Sequence, residues 1–193
     1  MKTLQGAIQS VAAAGLLFVS VSAATNDITD AIAAAQKHYA AGELSQAIAQ
    51  LDYAGTLVRQ EKAERVTTAF PPAPAGWEAD EPESDVAGAA MFGGGISVSR
   101  NYYNDNASIE MQMMMDSPML QAFSMMLSNP SMIAMSGGKL IKIQGLQAVQ
   151  KVEGDSAEIQ FVTANGAMIT LNTDANQLKT ALALANAIDL KKL

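Results

Sequence analysis

Methionine sulfur is the most conspicuous chemistry in this sequence, because nine of the twelve methionines lie between Ile109 and Met135. Residues two apart on a strand share a face, so Met111, Met113 and Met115 would point the same way. Thioethers are soft ligands, and such a row could bind copper(I). The same spacing is required of any strand that packs one side into a core. The pattern favours a core built from methionine, with a copper(I) site as the alternative.

Two methionines do not fit the core interpretation. Met114 and Met125 fall on the polar sides of their predicted elements. Exposed, flexible methionines are typical of surfaces that bind varied partners. We therefore identify Met114 and Met125 as a candidate binding surface.

The sequence contains few residues that could form a catalytic site. The single histidine, His38, lies in the N-terminal segment, so a Ser-His-Asp constellation would have to be built across the proline-rich segment without a recognisable nucleophile elbow, and there is no cysteine. Carboxylates are concentrated between Glu78 and Asp85, in a run flanked by proline and serine that predicts a solvated loop. The sequence therefore predicts a protein that is not an enzyme, with no catalytic residue and no cofactor.

The net charge of −7 restricts the classes of partner. No basic cluster is present, whereas nucleic acid binding requires lysine and arginine to contact phosphates. Anionic membrane surfaces are disfavoured for the same reason. The expected partner is another exported protein or a small ligand, and the oligomeric state is left open.

Residues 1–24 have the pattern of a secretory signal. Lys2 precedes a mostly apolar run, and Val21-Ser22-Ala23 offers small residues for cleavage after residue 23 or 24. The run is shorter than the roughly 20 residues that span a bilayer, and no later segment is apolar enough. We predict a periplasmic or secreted protein without stable membrane insertion after cleavage.

Residues 25–66 predict an α-helical hairpin that turns at Gly42. Apolar residues recur at helical spacing before and after this turn. The segment resembles one tetratricopeptide unit, with Gly42, Ala47, Leu51 and Ala54 at matching positions. Such units need neighbours to cover their faces, so the hairpin must dock on its own chain or on a partner.

Residues 67–76 contain three prolines and predict an extended linker, followed by a domain at 77–193. Trp77 is expected to be mostly buried, at the sheet edge or under the C-terminal helix, and the domain is expected to fold without the hairpin. Alternating residues predict hairpin-connected strands, with helices after Ser117 and Asp174. The fold class is therefore α+β, an antiparallel sheet packed by helices and preceded by the helical hairpin.

The turn at Asn165-Gly166 makes a sharper prediction. A two-residue loop would place the apolar residues of its two strands on opposite faces. A three-residue loop instead pairs Phe161 with Ile169, and it requires a positive φ at Gly166. We predict the three-residue loop.

The motifs PPxPxGW, GGGxSxSR, DSPM and NP occur in this order from Pro71 to Pro130. In this arrangement the chain resembles an uncharacterised family of exported proteobacterial proteins, a resemblance that implies no activity, cofactor or catalytic residue. The order of strands and helices is also similar to the Mog1/PsbP-like proteins, which mostly act by binding. The predicted function is that of an exported, non-enzymatic binding or adaptor protein, with a periplasmic copper(I)-binding protein as the alternative.

Overall fold

The computed structural model describes residues 20–85, 95–127 and 129–193. The predicted signal therefore lies almost wholly outside the described residues. The elements follow in the order α1 (Ser20–Ala40), α2 (Leu44–Thr67), β1 (Glu78–Ala79), β2 (Glu83–Asp85), β3 (Ile96–Asn104), β4 (Ala107–Met115), α3 (Met119–Leu127), α4 (Pro130–Met135), β5 (Gly138–Ile143), β6 (Leu146–Glu153), β7 (Ser156–Val162), β8 (Met168–Asp174) and α5 (Leu178–Ala187). Single 3₁₀ turns flank α5 at Ala175–Gln177 and Leu190–Lys192.

The strands form one antiparallel sheet in the order β1-β3-β4-β8-β7-β6-β5, with β2 also pairing with β3. Neighbours in sequence are mostly neighbours in space, which short hairpin loops require. The exceptions are β1, which pairs with β3 and not with β2, and β8, which pairs with β4 and joins the meander β5 to β8 to the β3–β4 hairpin. The predicted α+β class, with a helical hairpin in front of an antiparallel sheet, is confirmed.

One face of the sheet, here called the inner face, carries the core. A row of directly paired residues crosses five strands on this face: Val98, Met113, Ile169, Phe161 and Ala148. All five are fully buried. Helix α5 and the end of α2 contribute to the same core cluster. The alternation of buried and accessible residues follows from the period of two along each strand.

The β7–β8 hairpin has the predicted register. Phe161 pairs with Ile169, and Gly166 has φ +77°. The backbone N–H of Gly166 donates to the carbonyl of Thr163 at 3.0 Å, which closes the three-residue loop. A left-handed residue at this position favours glycine because a Cβ would crowd the backbone.

The predicted linker is packed rather than free. Ala69, Phe70 and Pro71 are buried, and the hydroxyl of Tyr102 donates to the carbonyl oxygen of Pro71 at 2.8 Å. Arg100 also donates to this oxygen, from one guanidinium nitrogen at 3.1 Å. The segment is therefore held on the inner face of the sheet by apolar burial and by hydrogen bonds.

The packing boundary also differs from the predicted one at residue 66. Ala63 and Val66, both on α2, belong to the same core cluster as the sheet. Trp77 is partly buried and packs against that cluster, as expected. The end of α2 is thus part of the sheet domain, and only the earlier part of the hairpin lies outside its core.

Helices α3 and α4 follow β4, and α4 covers part of the opposite, outer face. A Cβ at Gly138 would lie 2.8 Å from Val149 Cγ1 and 3.0 Å from Ile133 Cγ2. Val149 belongs to the outer face, because it pairs across strands with Gln160 and not with Phe161. Ile133 of α4 therefore packs onto the outer face beside β5 and β6.

Candidate binding surfaces

The two helices of the hairpin contact each other through alanine. The buried residues between them are Ala31, Ala35, Ala47 and Ala54. Small side chains let two helices approach closely, but they bury little apolar area. The large apolar residues of this segment must then lie elsewhere on the two helices.

Those large residues are exposed. Six of them have between 42 and 71% of their surface accessible: Ile32, Tyr39, Leu44, Ile48, Leu51 and Val58. We call this set the arm stripe, and we call residues 26–58 the arm. The sequence pattern indicated amphipathic helices here, but the apolar residues that it emphasised are mostly on the open side.

The arm stripe occupies one face of the arm. On α2, positions 44, 48, 51, 55 and 58 are spaced by three and four residues, so they align along one side of the helix. Ile32 and Tyr39 lie about 60–80° around α1 from the centre of the alanine contact, on the same side of the hairpin. Tyr53 lies on the opposite side, beside a shallow hollow formed with Asp27 and Asp30.

The arm stripe continues the face of α2 that packs on the sheet. Lys62 lies four residues after Val58, and its Nζ donates to Asp116 Oδ2 at 2.5 Å, where β4 ends. Val66, four residues further on, is buried in the sheet core. The same side of α2 is thus covered after residue 62 and exposed before it.

The three methionines of the copper alternative lie in the core. Met111 and Met113 are fully buried and Met115 is 4% exposed, all on the inner face with Ile109. Their cross-strand neighbours include Leu171 and Ile169. These surroundings are those of packing residues, since unbranched thioether side chains fill gaps between branched ones.

The predicted binding-surface methionines have different environments. Met114 lies on the outer face between Ser97 and Met168, and it is half-buried. Met125 is 75% exposed on α3. The structure does not place both of these side chains on an open surface.

Two further methionines are exposed, Met132 and Met135 on α4. Helix α4 has only six residues, and Ile133 alone is buried against the sheet. Met132 and Met135 therefore do not belong to the methionine core that the sequence pattern favours. The signal that could have found them is the length of α4, because so short a helix buries few side chains.

Another part of the outer face is polar. A cross-strand row joins Glu110, Asn172, Glu158 and Lys151, and an open groove follows it. Asn172 donates to Glu110 at 3.4 Å, and Lys151 pairs with Glu153 at 2.8 Å. The hydrogen bond to Glu153 raises the pKa of Lys151, which keeps its charge. These groups stabilise one another across strands.

Side chains that could bind a metal do not cluster in the described part of the chain. His38 Nδ1 lies 2.5 Å from Glu43 Oε2 within the arm, away from the polar row. Among the described residues, no three His, Cys, Asp or Glu side chains are placed to hold a metal ion. None of the described helices is both long and apolar enough to cross a membrane.

Comparison of this chain with protein-family models, with curated proteins and with solved structures gives no match. The resemblances drawn from the sequence motifs therefore stay predictions. The geometry of the exposed surfaces is what supports a functional interpretation.

Proposed function

We propose that this protein is an exported, non-enzymatic binding or adaptor protein that contacts a protein partner through the arm stripe. The observation that carries the proposal is the exposure of six large apolar side chains on one face of the arm. Soluble monomers rarely expose a contiguous apolar patch of more than a few hundred Å². An exposed apolar surface of this kind is therefore expected to be covered by a binding partner.

The architecture supports an adaptor. The sheet domain has its own core, and the arm extends from it through α2, which belongs to both. Helices α3 and α4 carry three further exposed apolar side chains, Met125, Met132 and Met135. Exposed apolar groups at two places on one chain suit a protein that joins partners.

The proposal of export rests on the signal pattern of residues 1–24 and on the absence of cysteine, which avoids unwanted disulfides in an oxidising compartment. The location is then the periplasm or the medium. Fractionation of cells, with mass spectrometry of the mature N-terminus, tests it. An intact N-terminus in the cytosolic fraction would refute the proposal of export.

Site-specific photo-crosslinking tests the binding surface. A photoreactive amino acid at Ile48 is expected to form a covalent adduct with a protein in the native compartment. The same probe at Tyr53, which is similarly exposed on the opposite side of the arm, is expected to form none. Equal yields from the two positions, or no adduct from either, would refute the arm stripe as the binding surface.

A further inference from the structure

In a pair of helices that is stable alone, the large apolar side chains lie between the helices. In the arm they lie on an outer face. Alanine residues lie between α1 and α2, and the leucine, isoleucine, valine and tyrosine side chains project from one side. This arrangement resembles half of a helical bundle, in which a second helical layer covers such a projecting layer and forms a core with it.

We propose that the arm stripe is covered by the arm stripe of a second copy of this chain, related by a two-fold axis that passes near Leu51. The inference rests on the proposed function and names the partner of that surface. The two arms lie antiparallel and form a four-helix bundle, from which the two sheet domains extend at opposite ends.

The spacing of the arm stripe on α2 has the symmetry that a two-fold axis requires. Leu44 and Val58 lie seven residues before and after Leu51. In an antiparallel pair centred on Leu51, Leu44 faces Val58 of the second copy, and the two Leu51 side chains meet. A two-fold interface must be self-complementary, and this seam satisfies that condition.

The shape of the molecule selects the antiparallel arrangement. The arm stripe ends at Val58, and the sheet domain begins at Lys62 with its contact to Asp116. In the antiparallel pair, the tip of each arm reaches the point where the other sheet domain begins. A parallel pair would bring both sheet domains to the same end and the same side of the bundle, where they would collide.

The size and chemistry of the arm stripe suit a dimer. Fifteen residues of each helix extend about 22 Å, and two adjacent helices are about 20 Å wide. The flat footprint is therefore about 440 Å² per partner, roughly half of the 800 Å² of a standard interface and in the range of weaker, reversible dimers. Asp52 and Arg59 lie along the outer margin of the seam, which leaves its centre apolar, as in homodimers.

The mass of the protein purified in its exported form, measured by sedimentation, tests the inference. We expect twice the mass of one chain. The Leu51→Glu variant places two carboxylates together at the axis and should weaken association by roughly 100-fold or more. The matched control is Tyr53→Glu, at a similarly exposed position on the opposite side of the same helix, and it should stay dimeric.

Cysteine cross-linking tests the geometry, because the chain has no cysteine of its own. On mild oxidation, the Leu51→Cys variant should form a covalent dimer. The Leu44→Cys and Val58→Cys variants should not cross-link alone, but a mixture of the two should. This pattern is expected only of an antiparallel seam centred on Leu51, because a disulfide requires Cα atoms less than about 7 Å apart.

Each contrary outcome has a defined meaning. A dimer that persists in Leu51→Glu, or self-cross-linking of Leu44→Cys, overturns the inferred interface. A monomer at high concentration overturns the second copy as partner, and adducts from Ile48 to a different protein would then leave the proposed binding function standing. A monomer that gives no adduct from Ile48 overturns both.

Discussion

The arm and the sheet domain bury opposite kinds of side chain. In the sheet domain, the residues with no accessible surface include phenylalanine, leucine, isoleucine and methionine, whereas the arm buries alanine and exposes leucine and isoleucine. Helix α2 shows both behaviours, since its side is bare at Leu51 and covered at Val66. Apolar periodicity shows which face of a helix is suited to burial. Whether that face is buried within the chain depends on the elements that pack beside it.

The largest expected effect compares two leucines, one from each region. Leu171→Ala removes a fully buried side chain from the sheet core and should lower the free energy of unfolding by about 2–5 kcal/mol. Leu51→Ala, at dilute concentrations where the chain is monomeric, should change it by no more than about 0.5 kcal/mol. Urea unfolding measures both values. Similar losses would show that Leu51 is packed and would remove the contrast between the two regions.

The second-largest effect is expected from truncations at the boundary between the arm and the sheet domain. A chain that begins at Arg59 keeps Ala63 and Val66, so it should unfold cooperatively. A chain that begins at Thr68 loses both residues from the core, and Val66 alone contributes about 1.5–3 kcal/mol. Circular dichroism during thermal unfolding should show a lower and broader transition for the shorter chain. Equal stability would restore the boundary predicted at residue 66.

The third effect tests the hydrogen bonds that attach residues 67–76 to the sheet. Burial raises the pKa of Tyr102 to about 12 from the ordinary value of 10.0, although the nearby Arg100 opposes the shift. The neutral phenol therefore stabilises the fold below pH 10, and this stabilisation is lost as the pH rises toward 12. Below pH 10, the Tyr102→Phe substitution should lower the free energy of unfolding by only about 1 kcal/mol. The loss is small because the carbonyl oxygen of Pro71 still accepts a hydrogen bond from Arg100.

The measurement is the free energy of unfolding of wild type and Tyr102→Phe at neutral and alkaline pH. The difference between the two proteins should shrink as the pH approaches 12, because only wild type loses the neutral phenol. A constant difference across this range would show that Tyr102 does not ionise with the expected shift.

The fourth effect compares one glycine from each region. Gly166→Ala forces a Cβ into a left-handed turn and should destabilise the sheet domain by about 1 kcal/mol. Gly55→Ala, in the middle of α2, should stabilise the monomer by up to about 1 kcal/mol, because alanine favours helix. The added Cβ would meet only the Arg59 side chain, 3.6 Å away. Changes of the same sign in chemical denaturation would contradict this comparison.

The smallest expected effect is a difference in the rate of oxidation between exposed and buried methionines. Mild peroxide should convert Met125 and Met135, which are 75 and 89% exposed, to sulfoxides well before the fully buried Met111 and Met113. Peptide mass spectrometry after graded exposure measures the order. Early oxidation of Met111 in folded protein would show that its strand is accessible, and it would reopen the copper(I) alternative.

Much of the sheet domain could be predicted from local pattern. The alternation through Tyr102 and Met111 determined which residues face the core, because successive strand residues point to opposite faces. The register at Phe161 and Ile169 followed from turn chemistry and from placing apolar residues on one side. The candidate site was less predictable, since Met125 is exposed as expected but Met114 is half-buried.

The sequence by itself thus determined the class of fold, the strand faces and the helical hairpin, because these depend on residues close together in the chain. The tertiary structure alone decided that β8 pairs with β4, that residues 69–71 lie on the sheet, and that Gln144 donates to the carbonyl oxygens of Ala185 and Ile188 at the end of α5. It also decided that the apolar face of α2 is covered at Val66 and bare at Leu51. An apolar stripe has the same periodicity whether a neighbour covers it or not, and the position of that neighbour depends on contacts between distant parts of the chain.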